Sequence, residues 1–305
     1  RDGVEPETVV KHADTALMRA KSQGPGTVRV FTEEMNESVV KTLTMHNRIR
    51  RALDAEEFLP FFQPQVDLST GEIVGMEALA RWISPELGMV SPVEFIPVAE
   101  EYGLIDPLCD QILYAACRIN KSWQDAGLSA VPVAVNISGR QFQNSRRLLQ
   151  TVEAVLSETG LDPCYLELEL TESSAMRDPE NAIAVVAQLR DRGIACSIDD
   201  FGTGYSSLSV LKRFPIQKLK IDRSFVSDVT TDANDAAIVK AILAMAHALR
   251  MKVVAEGVET TDHLEFLRDA ACDQMQGYYF SRPLPAVDME AMFRAGRRLT
   301  LPQRD

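Results

Sequence analysis

Residues 61–80, FFQPQVDLSTGEIVGMEALA, decide the fold. Two runs with strand character, 61–68 and 73–80, are separated only by Ser69-Thr70-Gly71-Glu72. Four such residues suit a hairpin, and they leave no room for the helical crossover that a parallel pair needs. The two strands therefore run antiparallel. Glu77 interrupts the otherwise apolar second run, which puts a carboxylate where a core side chain is expected.

Downstream, further short β-rich runs appear at 131–138, 164–170, 194–199, 217–222, 252–256 and 274–280. Amphipathic helices fall between most of them, at 106–126, 145–159, 179–192, 233–250 and 260–270. Eight strands with mostly helical crossovers predict an α/β fold, a (β/α)8 TIM-like barrel with one antiparallel strand. An open doubly wound sheet is the alternative, but no GxGxxG loop follows any strand. Upstream, residues 8–21 have apolar positions at helical spacing, and the turn at 23–26 separates them from a short strand expected at 28–31. Thirty residues cannot build a core of their own. A helix over 34–55, with Val39, Leu43, Ile49 and Leu53 as its docking face, joins this piece to the rest. The expected division is therefore 1–33, 34–55 and 56–305. Because the chain opens at Arg1 in mid-pattern, it reads as an excised piece of something longer.

Composition narrows the chemistry. A net charge of −12 argues against DNA and other generic nucleic-acid binding through a basic patch. Five scattered cysteines without a CxxC pair read as reduced thiols of a cytoplasmic domain. Four histidines without HExxH or HxH argue against imidazole-bound zinc; His12, His46, His247 and His263 read as surface or packing residues on helices. Trp82 and Trp123 read as packing residues too. No apolar run approaches the length of a membrane span.

The polar residues at the strand ends are the main clue. Glu77, Asn136, Glu169, Asp199, Asp200, Lys220, Asp222 and Glu256 lie within or at the end of strand runs, several alternating with apolar residues. Alternation puts such groups on one face. Salt bridges between barrel strands would account for some of them. So many carboxylates with one nearby lysine are hard to pair internally, however, and the excess charge calls for cations. All-oxygen ligation favours Mg²⁺ or Mn²⁺, and adjacent Asp199 and Asp200 would let two ions lie close together. The glycine-containing loop 199–208 reads as a mobile element at the mouth of the site.

Taken together, EALAR (77–81), VNIS (135–138), ELTE (169–172), IDDFGTGYSSL (198–208), KLKID (218–222), AEGVE (255–259) and QGYYFSRPL (276–284) resemble the EAL phosphodiesterases, which linearise cyclic di-GMP to pGpG. The likeness covers nearly all of residues 48–296. It implies Glu77, Asn136, Glu169 and Asp199 as ligands of a first Mg²⁺ or Mn²⁺, and Asp199 and Asp200 as ligands of a second, with Asp199 bridging. Lys220 resembles the lysine that steadies the attacking water, and Glu256 the glutamate that serves as general base or binds the metal-held water. Gln276 resembles a glutamine supporting the site, Arg81 a phosphate contact, and Gln63 and Leu79 dinucleotide contacts. Asp222 and Glu259 match polar positions near the substrate. Glu172 resembles the anchor of the glycine loop, which in this family couples the site to a homodimer interface. Residues 13–31 resemble the last helix and strand of a GGDEF (diguanylate cyclase) domain, departing at Met18 and at Pro25-Gly26. The cyclase signature itself is absent from this chain. The likeness implies GGDEF and sensor domains upstream in a parent that is cytoplasmic or membrane-anchored.

Two rival readings remain at this stage. One is a receptor that binds the dinucleotide without cutting it. Such members typically lack metal carboxylates or have a damaged glycine loop, and neither defect is visible in the sequence. The other is an unrelated barrel enzyme using Lys220 as a Schiff base, which the surrounding carboxylates oppose by keeping the amine protonated.

Overall fold

The computed structural model describes residues 6–22, 26–128, 131–204 and 207–301. Its strands are β1 (Phe58–Asp67), β2 (Ile73–Ser84), β3 (Gly88–Val90), β4 (Val133–Asn136), β5 (Leu166–Thr171), β6 (Ala195–Phe201), β7 (Lys218–Ile221), β8 (Lys252–Ala255) and β9 (Gln274–Met275). Strands β4 to β9 pair in parallel in chain order, β2 pairs in parallel with β4, and β1 closes the ring antiparallel to both β2 and β9. The result is an eight-stranded barrel with one reversed strand, and β3 lies outside it as a short antiparallel extension of β2.

The hairpin forms because Asp67 organises it. Its Oδ1 accepts from the backbone N–H of Ser69 and of Thr70, both at 2.9 Å, and its carbonyl accepts from Gly71. Partial burial acts to raise the Asp67 pKa, but these donors outweigh it and hold the group below the ordinary aspartate value. Gly71 has φ +72°, and a Cβ there would stand 2.4 Å from the carbonyl oxygen of Leu299, so only glycine fits.

Alternation then sorts the side chains. In β5, Leu166, Leu168 and Leu170 are buried among apolar neighbours, while Glu167 and Glu169 face the barrel interior. Full burial of each leucine contributes about 1.5–3 kcal/mol. Both tryptophans pack as expected: Trp82 lies between Phe58 and Phe95, and Trp123 between Phe62 and Phe293. The helix Glu33–Asp54 buries Ile49 and Ala52, and its His46 ring stacks on Tyr102, so its second half is docked. Leu43, expected on the docking face, is 46% exposed.

Two expectations need correction. Residues 28–31 form no strand, and Val28 and Val30 are 86% and 80% exposed. The last run, read as 274–280, is a strand only at Gln274–Met275. There the chain turns, because Gly277 packs against the backbone of Val258, where a Cβ would meet the carbonyl oxygen at 2.1 Å. The short strand β3 was not expected from the sequence. Residues 23–25 of the expected turn, and Tyr205 and Ser206 of the glycine loop, lie outside the described residues.

Candidate active site

The C-terminal ends of parallel barrel strands collect side chains from many parts of the chain. Asn136 ends β4, Glu169 lies near the end of β5 as the register partner of Asn136, and Glu256 follows β8 directly. Lys220 comes from β7 and Gln276 from the residue after β9. Glu77, on the long strand β2, is the register partner of Gln63 on reversed β1.

Lys220 stands at the centre with no exposed side-chain surface. Its Nζ lies 2.6 Å from Glu256 Oε1, 2.7 Å from Glu169 Oε2, 3.1 Å from Glu77 Oε2 and 3.2 Å from Asp199 Oδ2. The internal ion-pair reading is thus correct as far as one lysine goes, and four carboxylates still share one positive charge. Burial acts to lower the Lys220 pKa, but Glu169, Glu256, Glu77 and Asp199 raise it well above the ordinary value. The four surrounding carboxylates favour its ammonium form, which argues against a Schiff-base amine.

The carboxylates divide unequally. Burial pushes Glu77 up, yet the charge of Lys220 and hydrogen bonds from Gln276 and Asn136 bring it below its ordinary value. Burial and the charge of Glu77 raise Glu169 well above the glutamate range. Burial also raises Asp199, despite Lys220, and lifts Glu256 to about 8. Asp200 rises to about 6 through burial and the neighbouring Asp199 and Asp222 carboxylates.

Consecutive residues of a regular strand point to opposite faces, so Asp199 and Asp200 need a local device to converge. The β6–β7 register breaks between Ile198 and Phe201, and Asp200 has φ +54°. This bulge with a left-handed residue turns the second carboxylate back toward the site. Glu172 fixes the loop that follows: its buried Oε2 accepts from Gly202 N–H at 2.8 Å and Gly204 N–H at 3.3 Å. Gly202 has φ +102°, and a Cβ there would lie 2.7 Å from the Phe225 ring.

Ligand atoms of Glu77, Glu169 and Asp199 lie within 4.8 Å of one another, as do those of Asp199, Asp200 and Glu256. The two groups share Asp199. Among the described residues, Glu169 Oε1 is buried without a hydrogen-bond partner, so it is free to accept a cation. Asn136 Nδ2 donates to Glu77 Oε1 at 2.6 Å, which leaves its amide oxygen for a cation. The donor set therefore fits hard divalent ions.

Two cavities flank Leu79. One, of about 340 Å³, is lined by Gln63, Glu77, Asp199, Glu256, Glu259 and Gln276. The other, of about 410 Å³, includes Arg81, Asn136 and Asp200 with apolar Ile105 and Leu108. Arg81 is half-buried; its Nη1 donates to the Ala80 carbonyl, and its guanidinium lies 5.9 Å from the Phe61 ring centre. Asp222 lines neither cavity. It caps the helix Arg223–Ser227 by accepting from Ser224 N–H, beside Asp200. The histidines lie elsewhere: His12 stacks on Phe31, His247 bonds Asp273, and His263 is buried in the helix Thr261–Asp269. All five cysteines are free thiols. Sequence reasoning missed Gln65, Glu167 and Lys218, although each lies two residues along a strand from a residue it singled out. A strict period of two would have found them.

The profile of the EAL domain family matches residues 46–283. The bifunctional diguanylate cyclase/cyclic di-GMP phosphodiesterase MucR of Pseudomonas aeruginosa is 41% identical over 290 residues, 95% of this chain and 42% of that protein. The cyclic di-GMP phosphodiesterase PdeR of Escherichia coli is 39% identical over 292 residues, 96% of this chain and 44% of that protein. The chain thus spans about two fifths of the length of these relatives. Among solved structures, the PaMucR phosphodiesterase in complex with c-di-GMP superposes with a TM-score of 0.78 at 42% identity, covering 81% of this chain and 99% of that one. The EAL enzyme Bd1971 with cAMP and cyclic-di-GMP bound gives 0.79 at 32% identity, covering 96% and 77%.

Proposed function

The chain belongs to the EAL domain family, and from that premise we propose that it hydrolyses cyclic di-GMP to linear 5′-pGpG with two divalent cations, Mg²⁺ or Mn²⁺. The observation that carries this reading is the pair of carboxylate groups joined at Asp199. Glu77, Asn136, Glu169 and Asp199 would hold one ion, and Asp199 and Asp200 the other, with the Glu256 carboxylate beside them. When bound, such ions offset phosphodiester charge and make a water acidic enough to attack at neutral pH.

The protein's own groups do the rest. Lys220, a fixed ammonium within reach of four of the ligand carboxylates, restrains them and offsets negative charge that builds on the phosphate. Glu256 lines one cavity and lies 2.6 Å from Lys220 Nζ; it would either take the proton of the attacking water as general base or bind the metal-held water. Arg81 meets a phosphate, while Gln63 and Leu79 contact the dinucleotide from the two cavities. Asp222 and Glu259 lie at the substrate's periphery. Glu172 holds the Asp199–Asp200 loop in place and, in a homodimer, would link that loop to the interface.

Residues 1–33 we read as the end of a GGDEF domain, 34–55 as the joining helix and 56–305 as the phosphodiesterase domain, in a parent protein acting in the cytoplasm. Among the described residues, no helix is long and apolar enough to cross a membrane.

Incubation with cyclic di-GMP and Mg²⁺ or Mn²⁺, with chromatographic identification of the product, tests the proposal. Formation of pGpG by the wild type and not by Glu77→Ala supports it. Binding without cleavage would instead make the chain a receptor.

A further inference from the structure

One layer beneath the carboxylates, the barrel interior is polar again. Glu167 and Lys218 precede Glu169 and Lys220 by two residues, and Gln65 follows Gln63 by two on the strand that runs the other way. Lys218 Nζ lies 2.6 Å from Glu167 Oε2 and 3.2 Å from Gln65 Oε1. Gln65 Nε2 donates to Gln276 Oε1 at 3.1 Å. Gln276 Nε2 in turn donates to Glu77 Oε2 at 2.6 Å and to Gln63 Oε1 at 3.1 Å. A continuous chain of hydrogen bonds thus runs from the Glu167–Lys218 ion pair to the Glu77 carboxylate.

A primary amide has a donor end and an acceptor end of nearly equal shape, so its neighbours decide which way it points. Two amides in series have no preferred direction of their own. The ends of this chain supply one, because an ammonium only donates and a carboxylate only accepts. Lys218 draws the oxygen of Gln65 toward itself, which turns the Gln65 NH₂ to Gln276 and the Gln276 NH₂ to Glu77. In the reverse sense, Gln276 would aim a carbonyl oxygen at a buried carboxylate, and Glu77 would lose a donor. Gln65 and Gln276 are 1% and 4% exposed, so these orientations depend on protein partners. Gly75 keeps the space open, since a Cβ there would stand 2.9 Å from Gln65 Oε1.

We infer that Lys218, held by Glu167, is a positioning residue for the cation site: it sets the direction of the Gln65–Gln276 relay that orients Glu77. The inference rests on the proposed role of Glu77 as an ion ligand. Groups that orient a metal ligand from outside its shell change ion affinity about 10–100-fold when removed.

Two readouts on the intact chain test it. Calorimetric titration with Mn²⁺ should show Lys218→Met and Gln65→Leu each weakening binding about tenfold, with the double variant no weaker than either single one. Lys218→Arg, which keeps the donor charge, should retain most of the affinity. Gln65→Leu leaves the Lys218–Glu167 pair intact, so it carries the test should Lys218→Met fail to fold. In the metal-free protein, the Gln276 side-chain N–H should be protected from hydrogen exchange in the wild type and lose that protection in Gln65→Leu. Wild-type Mn²⁺ affinity in Gln65→Leu, or independent multiplication of the two single effects, would overturn the inference. A wild type that binds no Mn²⁺ would defeat the ion reading, and the exchange measurement would still decide the relay.

Discussion

Lys220 Nζ lies 2.7 Å from Glu169 Oε2, and neither side chain has any exposed surface. Among the described residues, the other oxygen of Glu169 has no hydrogen-bond partner. One lysine therefore satisfies half of this carboxyl group and leaves the other half open to a further partner.

Replacing Lys220 with methionine removes the only cation within 4.0 Å of Glu77, Glu169, Asp199 and Glu256 among the described residues. Loss of one partner from a buried ion pair costs about 3–5 kcal/mol. Urea unfolding of Lys220→Met in chelator should show a loss of that size, smaller when Mn²⁺ is present, and turnover should fall about 10²–10³-fold.

Stability should depend on pH in an unusual sense when ions are removed. Asp200 and Glu256 are raised to about 6 and about 8, above their ordinary values of 3.8 and 4.5. Carboxyls raised in the folded state bind more protons there than in the unfolded chain, so their contribution is present at low pH and lost as pH rises through the folded values. Thermal melts in chelator should accordingly fall between pH 5 and pH 8. Mn²⁺ should stabilise more at pH 8 than at pH 6, because it then competes with fewer protons.

Glu172 and Gly202 should act on the loop that aims the aspartates. Gly202→Ala forces a side chain into a left-handed position against Phe225, at a cost of about 1–3 kcal/mol. Glu172→Ala strips the acceptor from two backbone donors. Both should lower kcat about tenfold or more through misplacement of the aspartates. Hydrogen exchange at the Gly202 amide, fast in Glu172→Ala and slow in the wild type, checks the cause.

Arg81 reaches into one cavity and touches no carboxylate of the cluster within ion-pair distance, so its removal should weaken substrate binding more than chemistry. Steady-state kinetics of Arg81→Met should show KM raised about tenfold with kcat little changed.

Much of this was legible in the sequence because a strand's period of two is simple. LELEL and KLKID assign Glu169 and Lys220 to one face from their leucine and isoleucine neighbours, and Ser69-Thr70-Gly71-Glu72 announces the reversed strand. What stayed hidden depends on contacts between distant segments. Residues 28–31 have strand composition but pair with no described strand, and β3 exists only because the end of β2 offers it an edge. Asp200 would point away from the site in a regular strand; its φ of +54° is imposed by the bulge, which no composition announces. The relay through Gln65 was missed for a related reason. The period of two places Gln65 on the Gln63 face, but nothing in the sequence says which amide end it presents.

The proposed hydrolysis stands on an ion site shared across Asp199. Calorimetry with Mn²⁺ in the presence of cyclic di-GMP, on the wild type and on Asp199→Asn, addresses it most directly. Two ions per chain in the wild type, and weakened binding of both in Asp199→Asn, is the expected result. Absence of Mn²⁺ binding, or binding that Asp199→Asn leaves untouched, would contradict it.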